Sequence, residues 1–202
     1  MRIGIYGGTF DPPHLGHLIL ADEARNQLKI DRLLWVLAAL PPHKQQQGVS
    51  PLSQRLELVR AAIASEPCFE LSTVDIDRPG PHYALDTVRI ISEQFPGEEI
   101  INIIGGDSLR DLPNWHMPQQ LIRACTWIGV MRRPDDNINL SALEKTLPGI
   151  SAKALFLDIP RLEISSSQIR LRIAEGRPFR YYLPVPVFDL VVQRGYYRAQ
   201  ER

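Results

Sequence analysis

The chain begins MRIGIYGGTFDPPHLGH (residues 1–17), and this stretch decides the fold class. Residues 3–6 form an apolar run of strand length, and two glycines follow it directly. Pro12 and Pro13 can begin a helix, because the fixed φ of proline suits the first helical turn. The residues behind them, 15–28, have the pattern of a helix. A strand, a glycine turn and a helix in this order predict the first unit of an α/β fold.

The same alternation continues along the chain. Further apolar runs of strand length occupy residues 33–38, 69–76, 100–104, 127–131 and 154–157. Helical patterns lie between most of them, at residues 52–63, with Ser50 as the expected cap and Pro51 at the first helical position, and at residues 83–95. Runs that are apolar throughout indicate strands covered on both faces. We therefore predict a Rossmann-like, doubly wound, mainly parallel sheet flanked by helices.

Composition narrows the class of protein. The 202 residues carry 23 lysines and arginines against 23 acidic residues, and this balance argues against a dedicated nucleic-acid binder. The apolar runs stay far shorter than a membrane span requires. Cys68 and Cys125 stand far apart, as is typical of reduced thiols in a cytoplasmic protein. We expect one domain over residues 1–202, with a small helical part at about residues 165–202.

Polar segments follow most of the predicted strands. They are GGTFDPPHLGH (7–17), PPHK (41–44), GGDS (105–108), RRP (132–134) and EISSSQIR (163–170). Parallel strands bring their carboxyl ends to one edge of the sheet, and doubly wound folds bind ligands there, at the switch in strand order. The sequence therefore predicts one shared site at this edge.

His14 and His17 form the first candidate anion site. They are three residues apart and share one face in the first turn of a helix, where free N–H groups and the helix dipole favour an anion. We expect them to bind phosphate, and Gly7 and Gly8 to let the ligand approach the backbone. The alternatives are two capping histidines or half of a metal site. Their protonation stays open, because the helix end disfavours the cation while a bound phosphate favours it.

The serine-rich segment after the sixth predicted strand forms the second candidate anion site. Ser165 or Ser166 can cap a helix that runs to about Glu175 and ends at Gly176. The hydroxyl and N–H groups at its start can hold phosphate, and Arg170 adds a guanidinium one turn later. The alternative is an ordinary cap followed by a solvent-exposed arginine.

The segment behind the fourth predicted strand, residues 103–116, suggests a nucleoside contact. Gly105 allows close approach, and Asp107 can accept hydrogen bonds from ribose hydroxyls or a base. Trp115 can stack on a flat, cationic ring, or it can be a core aromatic.

Two loops add basic candidates. Lys44 can bind a second phosphate or remain solvated. One of Arg132 and Arg133 is expected to face the site and the other to face solvent. Both loops follow predicted strands, so their cations would reach the same edge of the sheet.

Together these motifs resemble a known family. GGTFDPPHLGH with ISSSQIR is similar to the nucleotidyltransferase superfamily marked by an HxGH motif, here residues 14–17, and an ISSxxIR-type motif. PPHK, HYALDT, IIGGDSLRDLPNW and RRP narrow the resemblance to the bacterial nicotinate-nucleotide adenylyltransferases, and it extends to LPVPVFDLVVQRGYY (183–197). It implies a step of NAD biosynthesis in which the adenylyl group of ATP passes to nicotinate mononucleotide, with Mg2+, giving deamido-NAD and pyrophosphate.

The resemblance also implies residue roles. Catalytic contacts to the ATP phosphates fall on His14, His17 and Arg170. Other nucleotide contacts fall on Gly7, Gly8, Thr9, Phe10, Gly105, Asp107, Arg133, Ile164, Ser165 and Ser166. Contacts to nicotinate mononucleotide fall on Lys44, Asp86, Thr87, Trp115 and His116. It implies no nucleic-acid or membrane partner and leaves both a monomer and a homo-oligomer open.

Other functions compete with this one. A sister transferase with another acceptor, such as phosphopantetheine, would share the phosphate motifs. A nucleotide-binding regulator without turnover is an alternative of a different class. A nicotinamide-dependent dehydrogenase is disfavoured, because the Gly-x-Gly-x-x-Gly pattern does not follow the first strand.

Overall fold

A computed structural model of the chain describes residues 1–39, 48–132 and 138–198. Within these residues one sheet contains the strands β1 Arg2–Gly8, β2 Arg32–Leu37, β3 Phe69–Ser72, β4 Glu99–Gly105, β5 Trp127–Arg132 and β6 Ala154–Asp158. The described helices are α1 Leu15–Leu28, α2 Leu52–Ile63, α3 Ala84–Gln94, α4 Gly106–Asp111, α5 Pro118–Ala124, α6 Leu140–Thr146, α7 Ile150–Lys153, α8 Ser166–Ala174 and α9 Val185–Arg194. Short 3-10 turns occupy Leu112–Asn114 and Arg180–Tyr182.

The sheet is parallel throughout and has the strand order β3-β2-β1-β4-β5-β6. The chain winds outward from β1 to β3 and then crosses back to place β4 beside β1. The order therefore reverses between β1 and β4, and the crevice at their carboxyl ends is the expected ligand site of such a fold. Gly8 ends β1 and Gly105 ends β4, so both glycine turns lie at this switch point. The predicted Rossmann-like, doubly wound fold is confirmed.

Apolar cores lie on both faces of the sheet, because successive strand residues point to opposite sides. On β2, Leu33 and Trp35 belong to one core and Leu34 and Val36 to the other. Helices α1, α2 and α9 contribute to the first core, and α3 and α5 contribute to the second. Burial on both sides explains why the strands read as unbroken apolar runs.

Strand β3 is shorter than its apolar run predicts and ends at Ser72. The N–H groups of Ile76 and Asp77 donate to the carbonyl of Thr73, and the Thr73 hydroxyl donates to the Asp77 carboxylate at 2.6 Å. A side chain that bonds locally offers the backbone a turn in place of the sheet ladder. The predicted strand over residues 69–76 is therefore wrong in its second half.

Helix α1 spans the predicted residues 15–28, and α2 begins one residue later than predicted. The prolines of the first loop precede α1, which begins at Leu15 with His14 at its N-cap. Pro51 occupies the N-cap of α2, so Ser50 is not the cap. The backbone N–H of Ser50 instead donates to the Asp11 carboxylate at 3.0 Å, and this bond holds Ser50 just outside the helix.

Helix α8 begins as predicted, with the Ser165 hydroxyl accepting a hydrogen bond at the N-cap. It ends at Ala174, and Gly176 has the left-handed φ of +66° that suits a helix end. Helix α9 lies against α2, so the last described elements cover the first core. In the part of the chain that the structure describes, no helix combines the length and apolar content that a membrane span needs.

Candidate active site

The two histidines at the start of α1 form a stacked pair. His14 and His17 have ring centroids 3.7 Å apart and ring planes 27° apart. The backbone N–H of His14 donates to Nδ1 of His17 at 3.2 Å. A neutral imidazole carries one proton and accepts at its other nitrogen. Since Nδ1 of His17 accepts, its Nε2 holds the hydrogen and is a donor.

Gly16 makes room for this pair. A Cβ at this position would lie 3.0 Å from Cε1 and Nδ1 of the His14 ring. That separation is shorter than the optimal contact between carbon atoms. The glycine between the two histidines therefore has a local packing reason, which the sequence pattern does not reveal.

Burial decides the charge of His14. The residue is 6% exposed, and its Nδ1 has no hydrogen-bond partner among the described residues. Burial lowers the pKa of His14 from 6.5 to about 4, so the ring is neutral at pH 7. A phosphate beside it would favour the cation and raise this pKa.

Helix α8 is fastened to the loop that leads into α1. The Ser166 hydroxyl donates to the carbonyl of Pro12 at 2.8 Å. Nη1 of Arg170 donates to the carbonyl of Asp11 at 2.7 Å. These two bonds bring the first turn of α8 to the first turn of α1, so the two predicted anion sites share one opening.

This opening is a cavity of about 380 Å³. Of the predicted contacts, its walls carry Thr9, Phe10, His14, His17, Ile164, Ser165, Ser166 and Arg170. Asp11, Ser167 and apolar side chains, among them Leu20, Ile159 and Leu162, line the rest. A cavity that combines apolar walls with convergent polar groups is typical of a ligand pocket.

A second cavity of about 420 Å³ lies at the switch point between β1 and β4. Of the predicted contacts, Gly7, Gly8, Thr9, Thr87, Gly105 and Trp115 line it. Trp115 is half-buried: it packs against the second core and also lines this cavity, so both of its proposed environments are present. Thr9 lines both cavities, which places them side by side.

Gly7 and Gly8 differ in the space beside their Cα atoms. A Cβ on Gly7 would meet nothing within 4 Å, so this backbone is open to a ligand. A Cβ on Gly8 would lie 2.6 Å from the Phe10 ring. Phe10 is 2% exposed and packs edge-on against the His17 ring, with centroids 5.1 Å apart. Gly8 therefore serves the packing of Phe10, which in turn supports His17.

Three predicted contacts lie outside the walls of both cavities. Asp107 is exposed at the start of α4. Asp86 lies 3.7 Å from Arg78, and His116 stacks on Tyr83 with ring centroids 3.9 Å apart. The structure therefore places these three at or beyond the rim of the second cavity.

The basic residues predicted on two loops are only partly described. Lys44 and Arg133 lie outside the described residues. Arg132 is half-exposed, lies 4.0 Å from Asp158 and covers the Phe156 ring at 5.6 Å. It lines neither cavity.

Arg55 was not predicted as a site residue, but its side chain holds the loops that form the site. The residue is 2% exposed, and its guanidinium donates to the carbonyls of Ser50, Thr9, Ala38 and Ala39 at 3.0, 3.2, 2.8 and 3.0 Å. One side chain thus ties the loops after β1 and β2 to α2. Its position three residues after Leu52, in line with the apolar stripe of α2, is the signal that could have found it.

A buried polar network beside the second cavity was also missed. The Thr87 hydroxyl donates to Oδ1 of Asp75 at 2.7 Å, and Arg78 donates to the same oxygen at 2.9 Å. Arg78 also donates to the carbonyls of Pro81 and Tyr83, so it fixes the segment that leads into α3. No sequence signal marked Asp75, which falls inside an apolar run.

Among the described residues, no three histidine, cysteine or carboxylate side chains form a group that could hold a metal. The carboxylate in the first cavity belongs to Asp11, and both of its oxygens accept hydrogen bonds, from Tyr197 at 2.8 Å and Ser50 at 3.0 Å. The imidazole, hydroxyl and guanidinium groups that line the rest of this cavity suit a phosphate better than a bare cation.

Known proteins are similar to this sequence along nearly its whole length. The sequence profile of the cytidylyltransferase-like family matches residues 5–172. A nicotinate-nucleotide adenylyltransferase of Bacillus subtilis is 36% identical over 198 residues, with 98% of this chain and 99% of that protein covered. The chain belongs to the nicotinate-nucleotide adenylyltransferase family. A probable member from Gloeobacter violaceus is 41% identical over 197 residues, with 97% of this chain and 96% of that protein covered.

Solved structures of proteins that carry this family name have the same fold as this chain. A Plasmodium falciparum nicotinic acid mononucleotide adenylyltransferase complexed with NaAD has a TM-score of 0.77 and 20% sequence identity, with 97% of each chain covered. A putative nicotinate-nucleotide adenylyltransferase from Vibrio parahaemolyticus has a TM-score of 0.70 and 19% identity, with 98% of this chain and 96% of that chain covered. These likenesses support the doubly wound architecture described above.

Proposed function

We propose that this protein is an enzyme that transfers the adenylyl group of ATP to nicotinate mononucleotide, giving deamido-NAD and pyrophosphate. One observation carries the proposal: the His14–His17 pair shares a cavity with the start of α8 and with Arg170, and Thr9 joins this cavity to a second one. The names of relatives that are 36% and 41% identical support the choice of acceptor.

The first cavity suits a triphosphate. The N-termini of α1 and α8 both contribute to it, and helix starts carry free N–H groups and positive dipole ends. Nε2 of His17 and the guanidinium of Arg170 add directed donors. Hydrogen bonds to a charged group are worth about 1.5–3 kcal/mol each, roughly twice a neutral one. We place the ATP phosphates among these groups.

The second cavity suits the flat ring of the acceptor. Trp115 offers an aromatic face, which favours a cationic pyridine ring. Helix α3 begins beside this cavity, and its N-cap residue, Tyr83, makes no side-chain capping bond. The free N–H groups of this helix start can therefore meet the carboxylate of nicotinate. In this arrangement Thr87 borders the ring, and Asp86 and His116 lie at the rim of its cavity.

The reaction needs no catalytic base. The attacking atom is a phosphate oxygen of nicotinate mononucleotide, which is largely ionised at pH 7 because its second pKa is about 6. It forms a bond to the α-phosphorus of ATP, while the bond from that phosphorus to the bridging oxygen breaks and pyrophosphate leaves with the electron pair. The protein must hold two polyanions in line and offset their repulsion. His14, His17 and Arg170 supply that stabilisation.

Mg2+ enters this proposal as part of the ATP complex. In proteins it usually keeps several waters and is bound through substrate phosphates and one or two carboxylates. Since both oxygens of Asp11 already accept hydrogen bonds, the described residues fit a metal-bound triphosphate better than a resident ion. Asp107 is proposed to contact ribose, and the roles of Lys44 and Arg133 stay predictions.

A parallel assay tests the proposed function. Purified protein receives ATP and Mg2+ with nicotinate mononucleotide, nicotinamide mononucleotide or phosphopantetheine, and pyrophosphate release is measured with mass analysis of the product. We expect deamido-NAD as the dominant product. Preferred turnover of phosphopantetheine would indicate a sister transferase. ATP binding without pyrophosphate release from any acceptor would indicate a regulator.

A further inference from the structure

Tyr197, near the far end of the described chain, contacts Asp11 in the wall of the first cavity. Its hydroxyl donates to Oδ1 of Asp11 at 2.8 Å, across 186 residues of sequence. Tyr197 is half-buried and has a φ of +65°, in the left-handed region that side chains other than glycine rarely adopt. Such a conformation costs on the order of 1–3 kcal/mol and persists only where surrounding contacts hold it. The bond to Asp11 is one such contact.

Asp11 stands between Tyr197 and Arg170. It is 3% exposed, and Oδ2 accepts a hydrogen bond from the N–H of Ser50 at 3.0 Å. Nη1 of Arg170 donates to the backbone carbonyl of Asp11 at 2.7 Å but lies 3.9 Å from its carboxylate. The guanidinium is thus anchored by the Asp11 backbone without closing onto the Asp11 charge. Two negatively charged groups can attract the Arg170 guanidinium: the Asp11 carboxylate and an anion bound in the cavity.

We propose that Tyr197 is a positioning residue for Arg170. This inference rests on the proposed function, because it assigns the phosphates of ATP as the anion that Arg170 meets. The phenol satisfies Oδ1 of Asp11, so the carboxylate does not draw the guanidinium into a close ion pair. The remaining N–H donors of Arg170 stay directed into the cavity.

The phenol is a donor throughout the working range of pH. Burial, and after it the charge of Asp11, raises the pKa of Tyr197 above its ordinary value. Arg55 lies beneath and also feels the charge of Asp11, but its guanidinium donates to backbone carbonyls. Among the described residues, Arg170 is the cation with free donors nearest to the carboxylate once the phenol is removed.

The neighbouring residue supplies a matched control. The hydroxyl of Tyr196 donates to Oε2 of Glu57 at 2.6 Å, which is the same chemistry at a site that lines neither nucleotide cavity. Tyr197→Phe and Tyr196→Phe therefore each remove one phenol–carboxylate bond. The proposal predicts different consequences for the two variants.

The experiment measures binding of a non-hydrolysable ATP analogue with Mg2+ by calorimetry, and steady-state kinetics alongside. In Tyr197→Phe we expect the dissociation constant to rise about tenfold, which corresponds to 1.4 kcal/mol. The KM for ATP should rise and kcat should fall, while the KM for nicotinate mononucleotide stays at the wild-type value. Tyr196→Phe should change none of these. Equal losses in the two variants, or wild-type affinity in Tyr197→Phe, would overturn the proposal.

A double-mutant cycle tests whether Tyr197 acts through Arg170. In an Arg170→Ala background, Tyr197→Phe should cause no further loss of analogue affinity, because the competing cation is gone. Additive losses would show that Tyr197 acts on stability or by another route. A wild-type enzyme that binds the analogue but produces no deamido-NAD would refute the proposed function alone, since the binding cycle still decides this inference.

Discussion

At the scale of single residues, the proposed role of His17 depends on one atom, Nε2. Its Nδ1 accepts the His14 backbone N–H, so Nε2 carries the hydrogen, and the residue lines the first cavity. Because the ring packs against Phe10 and His14, its position is set before any ligand arrives. Preorganised donors of this kind stabilise a transition state without a cost of reorganisation.

We predict that His17→Ala lowers kcat far more than it lowers stability. Loss of one transition-state donor typically costs about 2.7–4 kcal/mol, or roughly 10²–10³ in turnover. Steady-state kinetics at saturating ATP and a thermal melt of the same preparation measure the two effects. His17→Gln, which keeps an N–H donor, should lose less. An unchanged kcat in His17→Ala would exclude the role.

Trp115 packs against the second core and also lines the second cavity, so a substitution there can act on stability or on substrate binding. Comparing the KM values of the two substrates separates these effects. We predict that Trp115→Ala raises the KM for nicotinate mononucleotide more than the KM for ATP, because the indole lines the second cavity and not the first. Kinetics with each substrate varied in turn measure this. Equal increases for both substrates would assign Trp115 to the core alone.

At the scale of elements, the proposed function of helix α1 depends on Gly16, a residue type that weakens helices. Alanine is favoured over glycine within a helix by roughly 0.5–1 kcal/mol. At position 16, however, a Cβ would press on the His14 ring at 3.0 Å. The local preference and the packing of the site therefore oppose each other.

We predict that Gly16→Ala leaves the melting temperature close to that of the wild type while it lowers kcat and the affinity for ATP. The methyl group displaces the His14 ring, and the helix preference offsets part of the resulting strain. A thermal melt with calorimetric titration of an ATP analogue measures both. Wild-type affinity in a folded variant would show that the His14 ring need not hold its position.

The elements themselves were largely predictable from sequence, and their ends were not. Unbroken apolar runs mark strands that are buried on both faces, which is why every strand of the described sheet was expected. Strand β3 stops early because Thr73 bonds locally, and α2 starts late because Ser50 is held by Asp11. Such contacts depend on where other segments lie.

At the scale of the whole molecule, some site residues were also predictable from sequence, whereas others depend on contacts between distant segments. The histidines, the serines and Arg170 were predictable because each follows a strand, and parallel strands end at one edge. Arg55 is marked in the sequence only by its place in the apolar stripe of α2. Tyr197 was not predictable, since its partner lies 186 residues away and spacing carries no such information. Asp107 follows a strand as expected but lines neither cavity, so its contact with ribose stays a prediction.

The buried, neutral His14 makes stability depend on pH. Burial lowers its pKa from the ordinary 6.5 to about 4 in the folded protein, so the unfolded chain binds more protons between these values. Stability is therefore present above pH 6.5 and falls as pH drops to 4, by about 3 kcal/mol. Denaturant unfolding across this range, compared with His14→Gln, isolates the contribution. A bound ATP analogue should reduce the loss, because phosphate favours the cation. Identical pH slopes in both proteins would contradict the assignment.

We propose that the starts of α1 and α8, with Arg170, hold the triphosphate of ATP. A crystal structure of the protein with a non-hydrolysable ATP analogue and Mg2+ tests this directly. We predict phosphate oxygens within hydrogen-bond distance of Nε2 of His17, the first turn of α8 and the Arg170 guanidinium. An analogue bound in another cleft, with the 380 Å³ cavity free of phosphate, would contradict it.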